Sequence, residues 1–165
     1  MESLKESMIT LKESILKSVK AGKYSIDTTD FKTMDDVANY ANFIFGDKVE
    51  VDDKNRCIKI YYNKDVTFVI YFHPKFSSAS EYTRFNFMFL DKNNNVLLSN
   101  HIMSSVLDIR GMDWRCVFDI KNWVETHLKY AKHLLQYEEK HQKHPELIEE
   151  YKKDINKIKI LQKLL

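Results

Sequence analysis

Glycine is scarce in this chain, with only Gly22, Gly46 and Gly111 in 165 residues. Phosphate loops, dinucleotide-binding turns and nucleophile elbows all need clustered glycines, so none of these is present. Cysteine is equally thin: Cys57 and Cys116 are too few and too dispersed for a disulfide framework or a four-cysteine zinc site. No run approaches the roughly 18 apolar residues that a membrane-spanning helix needs. The N-terminus, MESLKESMITLKES, mixes acids and bases among its apolar positions, unlike a signal peptide. The expectation is a soluble, cytoplasmic protein, or one of the host cytoplasm if the chain is phage-encoded.

An excess of one charge is lacking too. Twenty-six basic residues face 24 acidic ones, a net charge of +2. A strongly electrostatic nucleic-acid binder would carry more positive charge, and clustered. Only Arg56, Arg84, Arg110 and Arg115 among the basic residues are arginines. Arginine's planar fork suits recognition, whereas the lysines read as solubilising charge.

What is present is a run of β-type sequence, Cys57 to Ser104, enclosed by helical sequence. CIKIYY, VTFVIYFH, YTRFNFMFL and NVLLSNHIM are rich in β-branched and aromatic residues and separated by turn-forming polar stretches. Residues 1–21 have an amphipathic stripe of Leu4, Met8, Leu11, Ile15 and Val19, with Gly22 as the stop. A second helix is expected from Thr33 to Gly46, opened by a capping box of Thr33 and Asp36. A short VEV strand precedes the main run. Asp113 is placed as the cap of a long helix reaching about Lys143, and Pro145 opens a return helix over 145–164. The fold class is therefore α+β: a four- to five-stranded antiparallel meander packed by N-terminal helices and a C-terminal helical hairpin. It forms one domain over 1–165, with N-terminal helices in 1–46, the sheet in 47–104 and the hairpin in 113–165.

Register follows from the turns. If Asn63-Lys64-Asp65 is a tight turn, Ile60 faces Phe68 and Ile58 faces Ile70 on an apolar side that belongs in the core. The other side pairs Tyr61 with Thr67, Lys59 with Val69 and Cys57 with Tyr71. For the second hairpin, a loop at Asp91–Asn95 places Leu90 opposite Val96, Met88 opposite Leu98, Asn86 opposite Asn100 and Arg84 opposite Ile102. Phe85, Phe87 and Phe89 alternate with these and are placed inward, with Leu97 on their side.

Two candidate surfaces emerge. The loop Arg110-Gly111-Met112-Asp113-Trp114-Arg115 concentrates tryptophan and arginine, the residues most enriched in interface hot spots. With Trp123 and Tyr130 on the long helix's flank, Arg110, Asp113, Trp114 and Arg115 form the expected protein-binding set. The plainer reading has Asp113 as a cap and Trp114 as a plug between sheet and helix. The alternative surface is the sheet's polar side, where Lys59, Tyr61, Tyr71, Arg84 and Asn86 would offer stacking and phosphate contacts to RNA or single-stranded DNA.

Neither His133, His141 and His144 near the helical corner nor His73 and His101 on strands form a ligand set with a third donor and supporting shell. A nucleophilic role for Cys57 or Cys116 has no paired base in the pattern. No catalytic residue, metal or cofactor is assigned. The expected function is a non-enzymatic, intracellular protein-binding module, acting as an inhibitor of a host or cognate protein. A lysine-, isoleucine-, asparagine- and tyrosine-rich composition suggests an AT-rich genome and hence a phage or mobile-element accessory protein. Nucleic-acid binding is the alternative, an enzyme or small-ligand sensor with a dispersed site the next, and homodimerisation through the terminal helices is compatible with each.

Overall fold

The computed structural model of the chain describes residues 32–74, 84–100, 112–113 and 119–165. The expected N-terminal helix at 1–21, and Arg110, Trp114, Arg115, His101 and Cys116, lie outside the described residues. Helix α1 (Met34–Phe45) begins where the capping box places it. Thr33 Oγ1 accepts the Asp36 amide at 3.2 Å, and Asp36 Oδ2 accepts the Thr33 amide at 3.0 Å. The helix stops at Gly46, whose φ of 72° lies in the region other residues resist.

Five antiparallel strands follow as a meander: β1 (Val49–Asp52), β2 (Cys57–Tyr61), β3 (Val66–Tyr71), β4 (Arg84–Asp91) and β5 (Val96–Ser99), in that spatial order. A two-residue strand, β6 (Met112–Asp113), pairs with the start of β4. Asn63 sets the β2–β3 turn, because its Oδ1 accepts both the Asp65 and Val66 amides at 2.8 Å. The resulting register matches the turn argument, with Ile58 opposite Ile70, Ile60 opposite Phe68 and Lys59 opposite Val69.

The β4–β5 hairpin departs from the regular register. Leu90 pairs with Val96 as expected, but Phe89 pairs with Leu98 and Met88 with Ser99. Leu97 is the extra residue of a β-bulge, which turns every later β5 residue to the opposite face. Leu98 therefore joins the phenylalanines in the core, and Asn86 is not the backbone partner of Asn100. The two side chains still meet, since Asn100 Nδ2 donates to Asn86 Oδ1 at 2.9 Å. Arg84 stands opposite Asp113 of β6.

The C-terminal pair comprises α2 (Ile120–His141) and α3 (Ile148–Leu164), joined by a corner with a 3₁₀ turn at Pro145–Leu147. Asp119, not Asp113, caps α2, accepting the Asn122 amide at 3.3 Å. Asp113 lies in β6, six residues before Asp119 and too far from the first turn of α2 to cap it.

Both α1 and the helical pair pack on one sheet face. Their Val37, Ala41, Val124, Leu128, Ile155 and Ile158 share a single buried cluster with Ile58, Ile60, Phe68, Ile70, Phe85, Phe87, Phe89 and Leu98. Phe68 and Phe89 rings lie 4.8 Å apart at the centre. Fully burying such a side chain contributes about 1.5–3 kcal/mol. Asn63 Nδ2 donates to the Leu164 carbonyl at 2.8 Å, tying the end of α3 to the first hairpin. No described helix is long and apolar enough to cross a membrane.

Candidate functional site

The second sheet face carries four of the five residues expected to meet nucleic acid. Register places Tyr61, Thr67, Leu90 and Val96 in one cross-strand row, Lys59, Val69, Met88 and Ser99 in the next, and Cys57, Tyr71 and Asn86 in a third. The middle of this face is not open. Cys57, Val69 and Met88 are buried in a separate small cluster, with Tyr71 and Leu90 packed against it. Burial pushes the Cys57 thiol up, and it does the same to the half-buried Tyr71 hydroxyl. A protonated thiol is a poor nucleophile, which weighs against a reactive Cys57.

Electrostatics on that face are mixed. Tyr61 donates its hydroxyl to the Glu50 carboxylate, and this bond raises the phenol above its ordinary range. Glu50 is also the register partner of Lys59. A stacking groove for a polyanion wants its aromatics free and its charges positive. Here one aromatic is engaged by a carboxylate and the one described lysine faces the same acid.

Residues of the protein-binding set separate. Trp123 is buried with 6% exposure, its ring edge-on to Phe87 at 4.9 Å and against Phe89 at 6.2 Å. It is a core residue that joins α2 to the sheet, and this removes it from the interface set. Tyr130, seven residues on, is 52% exposed, and Tyr137, after the same interval, is 40% exposed. The seven-residue aromatic flank thus dips into the core at one end and stands in solvent over the other two positions.

Around these tyrosines the outward side of α2 has a consistent chemistry. Lys129, Tyr130, His133, Tyr137, Lys140 and His141 follow helical spacing on one side, and all six are exposed. Asn122 and Thr126 extend the stripe toward the helix start. No carboxylate falls on it. Glu125 and Glu139 lie on the neighbouring flank, and Glu138 is buried. The Tyr137 ring packs against His141 with centroids 4.3 Å apart and planes tilted by 41°, and Lys143 Nζ lies 5.7 Å from the ring centre. The Tyr137 hydroxyl raises the Lys143 ammonium pKa, so that cation stays charged well above neutral pH.

Sequence reasoning picked out Tyr130 but did not find the stripe as a unit. The signal was available in the seven-residue interval together with the positions of Glu125 and Glu139. Reading it required knowing which side of α2 faces α3 and the sheet. His133, His141 and His144 do not converge on a third donor, and no group of three or more His, Cys, Asp or Glu among the described residues is placed to hold a metal. Comparison with family models, curated proteins and solved structures finds no match in any of the three.

Proposed function

We propose that the chain is a non-enzymatic protein-binding module that docks through the outward side of α2. The observation that carries this reading is the exposure of Tyr130 and Tyr137 on an ordered helix, each half in solvent and spaced to touch one partner surface. Tyrosine brings large, rigid contact area at small entropic cost, which is why it is enriched in interface hot spots. A host or cognate protein is the proposed partner, and inhibition of that partner is the proposed consequence.

A photo-crosslinking amino acid placed at Tyr137 tests the reading in the native cell. The expected result is one protein crosslinked in good yield and lost when Tyr130 is replaced by alanine. The same adducts from a probe on the sheet's second face, at Thr67, would overturn the assignment to α2.

The sheet face is kept as a second reading because register does bring Lys59, Tyr61, Tyr71 and Asn86 together. Its test is a salt-dependent shift of a labelled single-stranded oligonucleotide, abolished by Tyr71→Ala with Arg84→Ala.

A further inference from the structure

Resting on the reading of α2 as the docking side, we infer that the partner presents an acidic segment, a stretch of polypeptide with carboxylates flanking apolar or aromatic positions. Over α2 and its corner the exposed cations are Lys121, Lys129, Lys132, Lys140 and Lys143, and the exposed carboxylates are Glu125, Glu139 and Glu146, the last beside His144 at 3.6 Å. Lys129 is paired with Glu125 at 3.4 Å. Lys132 and Lys140 have no ion pair among the described residues, and Lys143 sits beside the Tyr137 ring.

The carboxylate nearest this end of the helix is turned inward, although its charge still acts on the Lys143 ammonium. Glu138 adjoins Tyr137 in sequence, yet it is buried and its Oε2 accepts the His144 amide at 2.8 Å. The last turn of α2 also ends in a helix C-terminus, where the exposed carbonyls favour cations; the lysines there partly answer that dipole. Even so, two lysines and two histidines share the outward stripe with two tyrosines and no acid. An acidic segment is the complement of this surface, with its apolar positions on the tyrosines and its carboxylates toward Lys140 and Lys143.

This pattern favours polypeptide over nucleic acid. The described cations on the stripe are lysines, with no arginine fork for phosphate. The rings of Tyr130 and Tyr137 stand two helical turns apart, about 10 Å along the axis, too far to stack successive bases but suited to successive turns of a facing helix.

The test uses the full chain and a fluorescein-labelled synthetic peptide of Glu and Leu at helical spacing, read by anisotropy. Controls are the matching Gln/Leu peptide and a labelled oligothymidylate. Binding of the Glu peptide that weakens as salt rises, and falls about tenfold in Tyr130→Ala with Tyr137→Ala and again in Lys140→Glu, supports the inference. Circular dichroism melting verifies that these variants stay folded. Equal binding of the Gln peptide overturns the acidic partner but leaves the protein-binding reading intact. Absence of binding at low salt, or binding indifferent to the three substitutions, overturns the inference. Oligothymidylate bound at least as well, and lost in the same variants, overturns both the inference and the protein-binding reading.

Discussion

Glu138 and His144 close the corner of the helical hairpin: the carboxylate of one, 5% exposed, accepts the main-chain amide of the other at 2.8 Å. The Glu138 carbonyl does the same for Gln142, whose left-handed φ of 52° ends α2. One residue thus supplies side-chain and main-chain acceptors to the turn that redirects the chain into α3.

Glu138→Ala should leave the His144 amide without its acceptor and cost about 1–3 kcal/mol of stability. Glu138→Gln keeps a carbonyl oxygen at the same reach and should cost distinctly less. Urea unfolding of the three proteins decides it. Equal losses from both substitutions would mean that the hydrogen bond contributes little.

Trp123 and Tyr130 provide a matched contrast on one helix. Trp123→Ala removes a ring packed on Phe87 and Phe89 and should cost about 3–5 kcal/mol. Tyr130→Ala, on the exposed stripe, should shift stability by no more than about 0.5 kcal/mol. A large loss in Tyr130→Ala would show that its ring packs within the protein and is not offered to a partner.

Much of the fold was legible because local chemistry and period agreed. Thr33 with Asp36 announced α1, and Asn63 announced the first hairpin; that turn leaves a single register in which Ile58, Ile60, Phe68 and Ile70 share a face. The start of α2 was misplaced because Asp113 and Asp119 are equally good caps, and only the pairing of β6 with β4 decides between them. Trp123 and Tyr130 share a flank by period, yet one is covered by the sheet and the other is not. No pattern along a single helix contains that information.

Acid should destabilise the protein through three turn and cap aspartates. Asp36 is held below the usual carboxylate range chiefly by the Lys32 amide, Asp52 by the Asn55 side chain and Asp91 by the Asn95 amide. Each folded-state pKa is depressed, so the stability it brings is present above the unfolded value near 4 and is lost as pH falls through the folded one. Denaturant midpoints should therefore fall below about pH 4. Asp36→Asn, Asp52→Asn and Asp91→Asn together should flatten that fall, and an unchanged slope in the triple variant would rule these groups out as its source.

The β5 bulge makes the sharpest claim about the core. A regular hairpin from the Asp91–Asn95 loop would put Leu97 among the phenylalanines and Leu98 opposite Met88 on the other face. With Leu97 as the extra residue, Leu98 instead pairs with Phe89 and is buried in the main cluster, while Leu97 is only half-buried. Deleting the larger buried volume leaves the larger cavity, so Leu98→Ala should cost about 2–5 kcal/mol and Leu97→Ala clearly less. Both substitutions change the same atoms in adjacent residues of one strand, which cancels most differences in unfolded-state effects. The order of the two unfolding midpoints therefore reports the register directly. If Leu97→Ala proves the more damaging, β5 runs without the bulge and Leu98 belongs on the second face.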